Sequence, residues 1–409
     1  MRPARISLFC LILALLIWPA APGAAITESQ PSTRYIVVLE DGAPAGAVAR
    51  AHADRFDLRL AHVYRHALKG YAAPMTPTVA GSIASDPAVR WVQRDTVVEA
   101  FAQTLPTGIN RVDAEVSPTA KIDGLDERVN VDVAVIDTGI DLDHPDLNVN
   151  VAGGRNCVAP LAPPEDLNGH GTHVAGTIGA LDNSIGVVGV APGARLWPVK
   201  VLTDAGVGLT SNVVCGIDYV TSRASQIEVA NMSLGGGGSD DGNCGNTNND
   251  AEHRAICASV AAGVTYAVAA GNDSENARDS VPAAYDEVIT VSALADFNGQ
   301  PGGGAPATCR QDQDDTFANF SNFGQDVDVI APGVCILSTY AAGLYSTISG
   351  TSMASPHVAG GAALYKATNP AATPAQVRNA LRASGTSNWI WPSQDPDGTQ
   401  EPLLNVATF

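Results

Sequence analysis

Beyond its first 25 residues the sequence has no apolar run long enough to cross a membrane, so a spanning role is not expected. It has no CxxC pair, which argues against a zinc–thiolate site. Positive charge is scarce over most of the chain. Residues 102–409 carry 13 Lys/Arg against 34 Asp/Glu, whereas residues 26–101 are balanced at 8 against 8. Such acidity opposes binding to nucleic acid or to anionic membranes, favours solubility and suits cations, and is read mostly as a solvated surface. Internal repeats and long linkers are absent as well.

What is present begins with "MRPARISLFCLILALLIWPAAPGAA" (1–25). Arg2 and Arg5 precede an apolar run from Ile6 to Trp18, and small residues follow at Ala21, Gly23, Ala24 and Ala25. That is the order of a secretory signal peptide, and it implies an extracellular product. Cysteine usage agrees. Once Cys10 leaves with the signal, Cys157, Cys215, Cys244, Cys257, Cys309 and Cys335 remain, an even set expected to pair outside the cell. Proximity favours Cys244–Cys257. Cys157–Cys215 with Cys309–Cys335 is one completion among several.

At 409 residues the chain is too long for one small domain. "RYIVVLE" (34–40) reads as a strand, 44–57 as a helix, "LKGYAAPM" as a strand, 76–85 as a helix and "VRWVQRD" (89–95) as a strand. This is a small α/β sandwich near the lower size for independent stability. From residue 108 the pattern changes. "VNVDVAVID" (129–137) is a Val-rich, near-continuous apolar run, as expected of a parallel strand buried on both faces. Similar runs recur at "ARLWPVKVL", "IEVANMSL", "VTYAVAAG", "EVITVSAL" and "VDVIAPG", with helical patterns between them around 172–181, 210–223 and 352–367. The fold class is therefore α/β, with a doubly wound, mainly parallel sheet and its ligand site beyond the strand C-termini. Two polar, Gly-rich stretches, 236–250 and 298–315, read as surface loops.

Three segments carry the chemistry. "VAVIDTGIDLDHPDL" puts Asp137 at the end of a buried strand, "NGHGTHVAGTIGAL" puts His170 at the start of a helix, and "SGTSMASPHVAGGAAL" puts Ser352 where a glycine turn enters another. Alone, each has a structural explanation as a turn cap, a helix-start histidine or an N-cap. Together they form a possible nucleophile–base–orienter array. A serine hydroxyl is a poor nucleophile, so His170 must take its proton while Asp137 holds the imidazole in the right tautomer. A helix N-terminus at Ser352 offers N–H groups to a developing oxyanion. No G-x-S-x-G elbow surrounds Ser352, which argues against an α/β-hydrolase esterase.

From about residue 33 to the C-terminus the chain resembles the subtilisin family (subtilases) of serine proteases. "IDTGID", "GHGTHVAGT" and "SGTSMASPHVAG" match its catalytic blocks almost letter for letter, in the Asp…His…Ser order of subtilisins. The resemblance implies a subtilisin-like sheet preceded by a small α/β (ferredoxin-like) domain. It divides the chain into a signal peptide (1–25), an inhibitory propeptide (26–101) and a catalytic domain (102–409). Asn272, closing "AVAAGN", matches the family's side-chain oxyanion donor, with the Ser352 N–H as the second. "NMSLGG", with Ser233, Leu234 and Gly235, and "AAG", with Ala270 and Gly271, resemble the walls of the S1 pocket. "AGVG", with Gly206 and Gly208, resembles the edge strand that pairs with the substrate backbone. Small wall residues imply broad specificity with a large apolar P1 side chain. No acid stands within those segments, so a basic-residue convertase is not expected.

The resemblance also implies structural Ca²⁺. A first site would use the side chains of Gln103, Asp146 and Asn183 with the carbonyls of Leu181, Ile185 and Val187, the oxygen-rich set a hard cation needs. A second, weaker site would use the carbonyls of Ala283, Tyr285 and Val288 with Asp328. The acidic loop 239–250 reads instead as a disulfide-stapled surface loop.

The junction "VVEAFAQTLPTG" (97–108) then reads as the chain's own first substrate. Phe101 would fill S1, Ala100 S2 and Val98 an apolar S4, with Glu99 facing solvent. Cutting before Ala102 would free Gln103 to complete the first calcium site; a cut a residue or two earlier is the near rival. The expected protein is a secreted, monomeric, self-maturing serine endopeptidase acting on proteins or peptides, with its own propeptide as intramolecular inhibitor. The alternative is a secreted binding protein that cleaves itself once and keeps the prosegment bound.

Overall fold

The computed structural model describes residues 34–95, 103–392 and 395–409. The signal peptide and the junction residues Val98, Glu99, Ala100, Phe101 and Ala102 lie outside the described residues. The chain divides into two compact units, the second beginning at Phe101.

The N-terminal unit runs β1 (Arg34–Leu39), α1 (Ala45–Phe56), β2 (His62–Tyr64), β3 (Gly70–Pro74), α2 (Pro77–Ala84) and β4 (Val89–Arg94). Its antiparallel sheet has the order β2-β3-β1-β4. Period-2 alternation sends Val37 and Leu39 of β1, and Tyr71 and Ala73 of β3, to one face. There they pack with Ala45 and Ala49 of α1 and Ile83 of α2. Helix α2 starts sharply because the Thr76 hydroxyl accepts the Val79 N–H and Pro77 occupies the first turn.

The second unit opens with α3 (Thr107–Arg111), β5 (Asp132–Asp137), β6 (Arg155–Asn156), α4 (His170–Gly179), β7 (Arg195–Lys200), α5 (Thr210–Thr221) and β8 (Val229–Met232). It continues through β9 (Gly236–Gly237), α6 (Ala251–Ala261), β10 (Thr265–Ala269), β11 (Ser280–Val281), β12 (Ile289–Ala295), β13 (Thr316–Phe317) and β14 (Val329–Pro332). The hairpin β15 (Ile336–Tyr340) and β16 (Leu344–Ile348) leads into α7 (Thr351–Thr368) and α8 (Pro374–Ser384). The central sheet has the order β13-β12-β10-β8-β5-β7-β6, and β14 also pairs with β12. It is mixed: β13 runs antiparallel to β12, and the other pairings are parallel.

Strand β5 decides where the site lies. From it the chain builds outward to β7 and β6 on one side and to β8, β10, β12 and β14 on the other. The crevice at its C-terminal end is therefore a topological switch point. Both faces of β5 are covered, as its valine-rich run requires. Val133 and Val135 join the core under α4 and α7, while Ala134 and Ile136 join the core under α5 and α6. The hairpin β15–β16 is not among the expected elements, because its partly exposed strands lack the continuous apolar run of a central strand.

Three disulfides join Cys157–Cys215, Cys244–Cys257 and Cys309–Cys335. The acidic composition is only partly a solvated surface. Asp132, Asp137, Asp166, Asp296, Asp314 and Asp315 are all buried, and each accepts hydrogen bonds there or pairs with Arg111. The Arg111 guanidinium lies between Asp296, at 2.8 Å, and Asp315, at 2.7 Å, with all three side chains at most 3% exposed. Removing the cation would strand two buried carboxyls. Arg111→Ala is therefore expected to cost about 3–5 kcal/mol of stability, read as a lower denaturant midpoint.

Candidate active site

Asp137 closes β5 with no exposure. Its Oδ1 accepts the Thr138 backbone N–H at 2.7 Å and contacts His170 Nδ1 at 2.8 Å. A carboxylate there can only accept, so Nδ1 carries the ring proton and Nε2 keeps its lone pair. Burial pulls the His170 pKa down. The charge and hydrogen bond of Asp137, with the charge of Asp166, outweigh this and leave it raised above the ordinary histidine value.

The chain reaches His170 through a tight turn. Gly169 has φ +102°, and a Cβ there would strike the Tyr340 ring, so the position requires glycine. The buried Asp166 carboxylate then gathers the start of α4. Its Oδ1 accepts from the N–H groups of Asn168 and Gly169 and from the Thr138 hydroxyl, and its Oδ2 from the N–H and hydroxyl of Thr172. Thr138 Oγ1 in turn accepts the Gly171 N–H at 2.9 Å. These bonds tie the end of β5 to the first turn of α4, and negative charge is favourable at a helix N-terminus.

Ser352 is the second residue of α7, and its setting follows from Pro356 inside that helix. Pro356 has no N–H, so the Ser352 carbonyl loses its helical partner. It accepts the Ser233 hydroxyl instead, at 2.8 Å, while the Ser352 hydroxyl donates to the Ser233 carbonyl at 3.3 Å. Asn272 is oriented by Thr351, whose N–H and hydroxyl both donate to Asn272 Oδ1, at 2.8 and 3.0 Å. A backbone N–H cannot accept, so the Asn272 amide NH₂ points the other way.

His170, Asn272 and Ser352 line one cleft of about 580 Å³ together with Gly206, Gly208, Ser233, Leu234 and Gly235. Leu234–Gly237 also border a second cavity of about 360 Å³, together with Ala270, Gly271, Asn272 and Ser352. The structure thus brings together the expected triad, the amide donor and every expected substrate-binding residue. It also adds acids that the wall segments did not contain. Asp273, Glu275 and Asp279 border the second cavity, and Glu252 borders the cleft.

The first proposed cation set converges. Gln103 Nε2 donates to the carbonyls of both Leu181 and Val187, its Oε1 accepts the Asn183 N–H at 3.2 Å, and Asn183 Nδ2 contacts Asp146 Oδ1 at 2.7 Å. Ile185 joins through its N–H to Asn183 Oδ1. Burial raises the Asp146 pKa, and its hydrogen bonds to Val187, Asn183 and Tyr345 involve no Lys or Arg. In this arrangement the Gln103 and Asn183 amides turn their NH₂ groups toward those acceptors, and a rotation of each amide would present oxygens beside the buried carboxylate, the ligand type a hard cation needs.

The second set does not fit. Asp328 Oδ1 already meets Arg378 at 2.9 Å and Arg382 at 3.1 Å. The carbonyls of Ala283 and Tyr285 accept from the Thr290 hydroxyl and the Val288 N–H. Two guanidinium groups stand where a cation would, so the expectation of a second calcium is corrected. In loop 239–250, Asp241 is saturated by the N–H groups of Asn243, Gly245, Thr247 and Asn248, and serves as a loop anchor.

Asp166, Thr138, Thr351 and Glu252 are additional to the residues expected from the sequence. Asp166 and Thr138 lie inside or beside the recognised motifs, and the Asp-x-x-Gly spacing before the helix was the available signal. If Asp137 holds the His170 pKa up, Asp137→Asn should let burial dominate. The His170 titration would then move below the ordinary histidine value, as read from its imidazole proton resonance.

Comparison with known proteins agrees with this geometry. Residues 129–399 match the subtilase family, and residues 34–101 match the peptidase inhibitor I9 family. Subtilisin NAT of Bacillus subtilis subsp. natto is 40% identical over 319 residues, covering 77% of this chain and 75% of that protein. The extracellular serine proteinase of Thermus sp. (strain Rt41A) is 35% identical over 93% of this chain and 94% of its own. A cold adapted subtilisin-like serine proteinase of solved structure is 34% identical, with a TM-score of 0.58 over 73% of this chain and 97% of its own. The chain belongs to the subtilase family: it is a secreted serine endopeptidase of the subtilisin type that carries an I9-type inhibitory prosegment.

Proposed function

We propose that Ser352 is the nucleophile, His170 the general base, Asp137 its orienter and Asn272 an oxyanion donor. The observation that carries this is the 2.8 Å contact of His170 Nδ1 with buried Asp137, in a ring that borders the same cleft as Ser352. The Ser352 hydroxyl turns from the Ser233 carbonyl toward His170 Nε2, which takes its proton as Oγ attacks the peptide carbonyl. The oxyanion is met by the Asn272 amide and the Ser352 N–H at the start of α7. His170 then protonates the leaving amine, and water repeats the sequence on the acyl-enzyme.

The finer reading has further parts. Residues 1–25 act as the signal peptide, 26–101 as the prosegment and 102–409 as the enzyme. The βαββαβ order of the N-terminal unit supports a ferredoxin-like prosegment. Ala270, Gly271 and Leu234 in the second cavity favour a large apolar P1 side chain. Gln103, Asp146, Asn183 and the carbonyls of Leu181, Ile185 and Val187 hold a structural Ca²⁺, which would supply charge to a carboxylate that lacks a Lys or Arg partner. Self-cleavage between Phe101 and Ala102 releases Gln103 as the second residue of the mature chain.

Three outcomes test this reading. Wild type should mature with Ala102 at its N-terminus while Ser352→Ala stays joined, as read by intact mass and N-terminal sequencing. The same cut in both would mean that another protease matures the chain. Lasting association of the fragments without hydrolysis of added peptides would favour the self-cleaving binding protein. Because the base must be neutral, kcat/KM should fall as pH drops through the raised His170 pKa. Chelation should lower the wild-type melting temperature, and Asp146→Asn should both melt lower and lose sensitivity to the chelator. An unchanged melt after chelation would remove the calcium assignment.

A further inference from the structure

The cleft contains a carboxyl that the mechanism does not use. Glu252 is the second residue of α6, whose start is capped by Asp250 through the N–H groups of Glu252 and His253. Its residue exposure is 7%, yet it borders the cleft shared by His170 and Ser352. Its Oε1 is buried and has no hydrogen-bond partner among the described residues. The one charged neighbour that perturbs it, Asp250, is an acid. Burial, with that like charge added, pushes the Glu252 carboxyl up to about 7.

A buried, unpartnered acceptor is costly, and a donor from outside would relieve it. The cleft shares Leu234–Gly237 with the cavity assigned to P1, but Glu252 lines only the cleft, along with Gly206 and Gly208 of the segment assigned to the substrate backbone. Thr210, Val213 and Leu234, which border the same space, offer no competing charge. We propose that Glu252 makes this part of the cleft a subsite for a Lys or Arg side chain on the amino side of the scissile bond, at P2 or P4. The inference rests on the peptidase reading above. It would add a charged group to the cleft for which an apolar S4 is expected, since a substrate cation there would pair with a desolvated carboxylate.

The test uses the mature enzyme and fluorogenic peptides with Phe at P1. Positions P2, P3 and P4 are varied singly among Leu, Gln, Lys, Arg and Glu. At P2 or at P4, Lys or Arg should exceed Leu and Gln in kcat/KM by about tenfold, with Glu the poorest, the scale of a hydrogen bond to a charged group. Glu252→Gln and Glu252→Leu should bring that ratio to about one while leaving the ratios at the other two positions in place. Because each ratio is taken within one protein, partial misfolding cancels. Absence of a basic preference in wild type, or its persistence in both variants, overturns the proposal. Failure to cleave every peptide, with Ser352→Ala as the blank, overturns the peptidase reading and this subsite with it.

Discussion

The carboxylate of Asp137, held without exposure at the end of β5, is the constraint from which the site is built. A charge in that position is stable only if its surroundings supply donors. They do so through the Thr138 N–H and the imidazole of His170. Satisfying the carboxylate and choosing the histidine tautomer are therefore one event. Asp166 repeats the arrangement one turn away by collecting the free N–H groups at the start of α4. Two buried carboxylates thus bracket one imidazole, and both raise its basicity.

The same economy appears around α7. Pro356 removes a helical N–H, the freed Ser352 carbonyl binds Ser233, and a wall of the cleft is thereby tied to the residue that opens the helix. Thr351 does the same for Asn272. In each case a helix terminus with unpaired backbone groups is completed by a residue from another element. The termini are both anchored and aimed at the crevice where the sheet changes direction.

Acidity has a structural use in this protein beyond solubility. Asp166 and Asp241 act as sinks for backbone N–H groups, Asp296 and Asp315 clamp Arg111, and Asp328 is neutralised by Arg378 and Arg382. Asp146 and Glu252 are buried as well, and among the described residues no Lys or Arg pairs with either. One accepts from Asn183, Val187 and Tyr345, and the other borders an open cleft. A metal ion is the partner proposed for the first and a substrate side chain the partner proposed for the second.

Much of this was legible in the residues alone. The Val-rich run ending at Asp137, the glycine turns before His170 and Ser352, and the spacing of Cys244 and Cys257 are local patterns. They express local physics: strand burial on two faces, helix entry and short loop closure. What local pattern cannot carry is the identity of a neighbour brought in from far along the chain. Ser233 meets Ser352 across 119 residues, and Arg378 and Arg382 reach Asp328 from a later helix. Glu252 enters the cleft from the start of α6, outside every recognised motif. The sequence by itself determined the class of chemistry, because Asp137, His170 and Ser352, the residues proposed to carry it, sit in short segments whose turns admit few residues. Only the tertiary structure decided which carboxylates are already neutralised and which still lack a cation, because charge compensation is settled over distances of a few ångströms in space, whatever the separation in sequence.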